Sequence, residues 1–142
     1  MAEMFEGGCL CGAIRYRSAG PALRCVICHC EDCRKHSGAP CLGFVHFPLE
    51  GFSWIGAQPQ RYRSSRYAER GFCPECGSTV SMHEEVLADR VQVTLGSLDR
   101  PASVEPEDHV WTRSRIPWFD VRDDRPRFPE SSTAVASKAG EE

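Results

Sequence analysis

Cysteines carry the chemistry this sequence could do. There are nine in 142 residues, and most fall in three tight groups. Cys73-Pro74-Glu75-Cys76-Gly77 has the form of a zinc knuckle: two intervening residues let both thiolates reach one ion, and the glycine that follows permits a tight turn. Cys9-Leu10-Cys11-Gly12 is a tighter version of the same device. Together the two pairs supply four sulfurs, the number that a closed tetrahedral zinc site requires. A lone cysteine is more often a small buried hydrophobe. Two spaced pairs, each followed by glycine, point to metal instead.

The middle run, Cys25-Val26-Ile27-Cys28-His29-Cys30-Glu31-Asp32-Cys33, can be read in two ways. Cys25 and Cys28 with Cys30 and Cys33 would make a second closed, four-sulfur cage. Cys28, Cys30 and Cys33 alone would leave a fourth coordination position open to water or substrate, which is the pattern of catalytic zinc. Spacing does not choose between them.

The elements that must position these groups are short. Ile14 and Tyr16 alternate with Arg15 and Arg17, the period of a half-buried strand. Further strands are predicted at Leu42–Phe47, Gln60–Arg63, Thr79–Met82 and Val91–Leu95, the last with Val91, Val93 and Leu95 on one face. Turn signals at Gly20-Pro21, Phe47-Pro48, 56–59 and Asp99-Arg100-Pro101 separate them. One helical piece is predicted, Glu31–Ser37, with its acids first, its bases last and Gly38 as the C′ stop. Twelve glycines and ten prolines favour such a loop-rich, mainly β chain over a helical bundle.

A length of 142 residues suits one domain, expected over residues 5–129. Residues 130–142 lack a core-forming pattern and are expected to be a disordered tail. A formal charge of −3 gives no general attraction to phosphate backbones or anionic membranes. Met1–Glu6 has no basic start or apolar run, and no stretch nears the ~18 apolar residues of a membrane span. A soluble, cytoplasmic protein is therefore expected, with no nucleic-acid or membrane partner. In that compartment thiols stay reduced, which again favours metal over disulfides.

The ordered set of motifs resembles the glutathione-dependent formaldehyde-activating enzyme (GFA) family, which includes the centromere protein V-like zinc proteins. The resemblance lies in Gly8-Cys9-Leu10-Cys11-Gly12, in Cys28-His29-Cys30-Glu31-Asp32-Cys33-Arg34-Lys35 with Gly38, and in Phe72-Cys73-Pro74-Glu75-Cys76-Gly77. Ser64-Ser65, Gly96-Ser97-Leu98-Asp99, His109 and Pro117-Trp118 add to it; Arg125-Pro126-Arg127-Phe128 departs from the family's Leu-Pro-x-Phe at Arg125. It implies a mainly β, β-tent zinc-binding fold of short antiparallel strands with a short helical turn. It also implies a structural zinc on Cys9, Cys11, Cys73 and Cys76 and a catalytic zinc on Cys28, Cys30 and Cys33, two ions per chain. Cys25 and Cys41 match no ligand position.

The implied activity is that of a zinc-dependent carbon–sulfur lyase, similar to S-(hydroxymethyl)glutathione synthase. Its partners would be a small-molecule thiol such as glutathione and a small aldehyde or its adduct. Thiolate-held zinc is a Lewis acid that stabilises an incoming thiol as thiolate, so the site and the chemistry agree. Arg34 could offset the site's negative charge and attract a substrate carboxylate, whereas Lys35 reads as a solvated helix end. His109 reads as a buried, hydrogen-bonded histidine, with a substrate-binding or proton-transfer role as the sharper alternative. The competing function is a non-enzymatic zinc-bearing interaction module.

Overall fold

A computed structural model describes residues 4–132. The tail expected over 130–142 lies largely outside the described residues, from 133 onward. Its first residues are tied down: Trp111 N–H donates to the Glu130 carbonyl at 2.9 Å.

Ten short strands and one helix build a mainly β molecule. β1 (Phe5–Gly8), β2 (Arg15–Ser18) and β5 (Phe52–Trp54) form a three-stranded antiparallel sheet in the order β1-β2-β5. The larger sheet contains β3 (Arg24–Cys28), β4 (Leu42–Pro48), β6 (Gln60–Arg63), β7 (Ala68–Phe72), β8 (Thr79–Glu84), β9 (Arg90–Thr94) and β10 (Asp108–Val110). Its order is β10-β3-β4-β9-β8-β7-β6. β10 joins β3 in parallel, so this sheet is mixed rather than wholly antiparallel. The parallel pairing is possible because a long excursion, through the helix and six strands, separates β3 from β10.

The large sheet is covered on both faces, and strand alternation sorts residues between two cores. Phe5, Tyr16, Cys25, Val45, Phe47, Val91, Val93 and Leu98 fill the space between the two sheets. Val26, Cys28, Phe44, Ala68 and Met82 face the other way, where Cys30, Cys33, Val110 and Trp111 pack on them. Each fully buried Val or Phe contributes about 1.5–3 kcal/mol. Because side chains alternate along a strand, Cys25 and Cys28 lie on opposite faces of β3.

The helix α1 spans Glu31–Ser37 as expected, and Gly38, at φ 77°, closes it by donating to the Arg34 carbonyl. Cys30 is its N-cap, the sulfur accepting from the Cys33 N–H. Seven residues form a helix too short to stand alone in water. It is held because Cys33 is buried against the sheet.

Candidate metal centres

Among the described residues, two groups of side chains could hold a metal ion: Cys9, Cys11, Cys73 and Cys76, and Cys28, Cys30 and Cys33. Within each group the sulfurs lie within 4.8 Å of one another. All seven cysteines that the sequence assigned to metal are thereby brought together, in the two expected sets.

The four-cysteine group joins two turns. Cys9 and Cys11 stand between β1 and β2, and Cys73 and Cys76 between β7 and β8. Each turn is closed by its glycine: Gly12 donates to the Cys9 carbonyl at 3.2 Å and Gly77 to the Cys73 carbonyl at 2.8 Å. Their φ values of 84° and 79° lie where side chains are strained, which explains glycine after each pair. The sulfur separations Cys9–Cys11 and Cys11–Cys73 are 3.6 and 3.8 Å. A tetrahedron of thiolates about 2.3 Å from an ion has edges of about 3.8 Å, so the donor set fits zinc. Ile14 N–H donates to the Cys9 sulfur, and the Ser78 hydroxyl lies 3.1 Å from the Cys76 sulfur. That hydroxyl, with backbone N–H groups, brings the Cys76 thiol down to about 5. Cys11 is exposed and Cys76 half-buried, so this group sits at the surface.

The three-cysteine group is built differently. Cys28 ends β3, Cys30 caps α1 and Cys33 lies in its first turn; all three are buried. Cys25 is turned into the opposite core and cannot complete a four-sulfur cage. Three thiols converging without a fourth fit a metal with one position left over. Cys28 and Cys33 line a cavity of about 50 Å³ on the helix-covered face of the sheet. Its floor includes a cross-strand row, Arg24, His46, Gln92, Met82 and Arg70, each residue in register with the next.

Arg70 is the functional residue the sequence analysis missed. It has no solvent exposure, donates from Nη1 to the Cys33 sulfur at 3.2 Å and from Nε to Ser64 Oγ at 3.1 Å. Hydrogen bonds from Cys28 and Cys30, with the guanidinium beside it, hold the Cys33 thiol well below its usual range. The same cysteine hydrogen bonds, with burial, push Cys28 well above it. A signal was present: Arg70 shares strand parity with Ala68 and Phe72, the inward face of β7.

Neither Arg34 nor His109 lines this cavity. Arg34 sits on α1 with a buried Nε that has no hydrogen-bond partner among the described residues. His109 is buried behind the ligand loop, its Nδ1 3.0 Å from His29 Nε2 and its Nε2 3.0 Å from an Asp123 carboxylate oxygen. This chain fixes His29, and with it the segment between Cys28 and Cys30. Burial pushes His29 down to about 4, so it is neutral at ordinary pH. His109 pulls the Asp123 carboxyl well below the usual carboxylate range.

Fold and site together define a mainly β protein with two thiol clusters able to hold metal ions. The family model described as glutathione-dependent formaldehyde-activating enzyme matches residues 4–114, and the chain belongs to that family. An uncharacterized lyase of Schizosaccharomyces pombe is 38% identical over 78 residues, which are 54% of this chain and 55% of that protein. The chain thus matches about half the length of that relative. A Halomonas elongata protein that carries the family's name is 25% identical over 130 residues, covering 83% of this chain and 81% of its own. A crystal structure of a Rhodobacter sphaeroides protein shares the fold, with a TM-score of 0.54 at 22% identity over 71% of this chain and 91% of that one. No helix of the described residues is long and apolar enough to cross a membrane.

Proposed function

We propose that this chain is a zinc-dependent carbon–sulfur lyase-like enzyme that joins a thiol, with glutathione the leading candidate, to a small aldehyde, or releases the two. In this reading Cys9, Cys11, Cys73 and Cys76 hold a structural zinc, and Cys28, Cys30 and Cys33 hold the catalytic one. The observation that carries it is the three-thiol group, of which Cys28 and Cys33 line a cavity, while Cys25 faces the other core. The working unit spans residues 5–129, since Phe128 packs on the same core as the ligands, with the remainder a tail. A reducing compartment such as the cytoplasm suits seven thiols that must stay free for metal.

Zinc in the three-cysteine site would supply a Lewis acid that stabilises an incoming thiol as thiolate. The chain's own groups do the rest. Cys28 and Cys33 place the sulfur partner at the cavity wall. Arg70 offsets the negative charge that three thiolates leave on the site. Val26, Phe44, Met82, Val110 and Trp111 give the cavity an apolar wall on part of its surface. Holding thiol and aldehyde side by side removes much of the entropic part of the barrier, an effect of several kcal/mol.

X-ray absorption on the zinc-loaded protein, with and without glutathione, tests the assignment. Elemental analysis is expected to give close to two zincs per chain. The mean sulfur count per zinc is expected to rise by about half a sulfur on adding the thiol, because only one ion gains a ligand. Cys25→Ser is expected to change neither result. Four sulfurs at both ions, unmoved by glutathione, would replace the enzyme with a closed zinc module.

A further inference from the structure

Arg70 is more than a counter-charge. Its guanidinium is carried from β7 into a largely apolar core with no solvent exposure. A buried guanidinium needs acceptors for five N–H groups. Ser64 Oγ takes Nε and the Cys33 sulfur takes Nη1. Nη2 is buried and has no hydrogen-bond partner among the described residues. A charged donor left without an acceptor is costly, and such atoms mark places where a ligand completes the bonding. Arg70 also lines the cavity that Cys28 and Cys33 share. At about 50 Å³ that cavity has room for a one-carbon compound beside a water or two. It is far too small for a tripeptide, whose bulk must stay outside.

We propose that Arg70 is a catalytic residue whose Nη2 receives the oxygen of a small aldehyde as negative charge builds on it. The inference rests on the thiol–aldehyde reading above. In the addition, the thiolate sulfur bonds to the carbonyl carbon and the carbonyl π pair moves onto oxygen. The proton given up when the thiol ionised returns to that oxygen through solvent. Nothing is oxidised or reduced. Negative charge therefore travels from the substrate sulfur to oxygen, and Arg70 addresses the receiving end. Nη1 is held by the sulfur of Cys33, a proposed zinc ligand, which leaves Nη2 on the same rigid plane for the oxygen. A donor fixed where charge arrives is strongest in the transition state, which is how oxyanion donors raise turnover. Ser64, by holding Nε, sets the tilt of that plane and acts as a positioning residue.

The test uses zinc-loaded wild type, Arg70→Gln, Arg70→Lys and Ser64→Ala. NMR exchange spectroscopy reads glutathione–formaldehyde turnover, and formate, a one-carbon oxyanion, serves as a probe of the donor through line broadening of its carbon-13 signal. Arg70→Gln is expected to lower kcat by about 10²–10³-fold while glutathione affinity stays within about threefold. Formate affinity is expected to fall about tenfold or more in the same variant, with zinc content unchanged. Arg70→Lys keeps the charge but not the fork, so kcat is expected to stay depressed. Full recovery of kcat in Arg70→Lys, or unchanged formate binding in Arg70→Gln, would overturn the assignment. If Arg70→Gln fails to fold, Ser64→Ala carries the test through about a tenfold loss in kcat and weaker formate binding; no change in either overturns it. Should wild type show no thiol–aldehyde turnover, the enzyme reading fails by itself. Arg70-dependent formate binding would still support the donor.

Discussion

The two cysteine groups invert a common intuition about open and closed metal sites. The four-cysteine group lies at the surface, with Cys11 exposed, yet it brings four sulfurs within 4.8 Å of one another. The three-cysteine group is wholly buried, yet it lines a cavity and lacks a fourth sulfur. The number of sulfurs that the backbone brings together thus does not follow distance from solvent. The surroundings differ to match. Small polar and backbone donors around Cys9 and Cys76 serve only to steady sulfurs. Around Cys33 the donor is a buried guanidinium with an uncommitted N–H group.

The comparison breaks most visibly if both groups are needed for the fold. Binding free energies of structural zinc, about 10–16 kcal/mol, match or exceed a domain's whole stability of about 5–15 kcal/mol. The four-cysteine group clips the turn of the small sheet to the turn between β7 and β8, contacts separated by more than sixty residues. Cys73→Ser is therefore expected to abolish the cooperative thermal transition. Cys30→Ser is expected to stay folded with one zinc, since the serine oxygen can still cap α1 by accepting from the Cys33 N–H. Circular dichroism melts with elemental analysis read both. Equal loss of structure in the two variants would make both sites structural.

How far the sequence revealed this arrangement depends on what each signal encodes. Clustered thiols separated by two or fewer residues are a local pattern, which named Cys9, Cys11, Cys73 and Cys76; in the middle run spacing left Cys25 open, and the family resemblance supplied the set Cys28, Cys30 and Cys33. Strands β2, β4, β6, β8 and β9 showed in their alternation or β-branched content, and α1 in its ordered acids and bases with Gly38. Strand β3 was hidden because both its faces are covered and its cysteines drew attention to metal. Once its parity is known, the choice between Cys25 inside or outside the site is settled at once. Arg70 was hidden because a charge in Ala68-Glu69-Arg70-Gly71 reads as solvent exposed unless the strand is recognised first. The His29–His109–Asp123 chain was illegible for another reason: its members are 80 and 14 residues apart, joined only by tertiary contact.

A smaller effect sharpens the contrast through protons. His46 lies on the cavity floor, 4% exposed, with Nδ1 unpartnered among the described residues. Burial, helped by the charges of Arg90 and Arg24, pushes it down to about 3. It is thus neutral when folded, whereas the unfolded chain takes up the proton near pH 6.5. Below that value the unfolded state binds more protons, so stability falls as pH drops from about 6.5 toward 3, by about 1.4 kcal/mol per unit. At pH 4.5 the loss amounts to about 3 kcal/mol. His46→Gln is expected to remove this slope. Urea unfolding of both proteins across pH 7 to 4.5 reads it as a difference, in which acid release of metal, common to both, cancels. Parallel curves would show that His46 is solvated and that the cavity floor is not dry.

The smallest expected effect comes from a second cation close to the same ligands in sequence. Lys35 stands two residues after Cys33, as near along the chain as any basic residue but Arg34, and pairs with Glu31 at 3.2 Å across one helical turn. Its side chain is 76% exposed and that of Glu31 49%, so water screens the pair. Glu four residues before Lys is the favourable order on a helix, and such pairs contribute about 0.3–0.5 kcal/mol. Lys35→Ala is expected to cost no more than that in a urea titration at low salt, and nothing measurable at about 1 M salt, where the screening length shrinks to about 3 Å. Glutathione binding, read by X-ray absorption or calorimetry, is expected to stay within about twofold of wild type. The physical difference from Arg70 is position in the dielectric. A charge held against sulfur in a dry core acts at full strength, whereas one at the end of a solvated stem is diluted by water and by its own freedom. A tenfold loss of thiol affinity in Lys35→Ala would place the substrate over the exposed face of α1 and move the site's mouth away from Arg70.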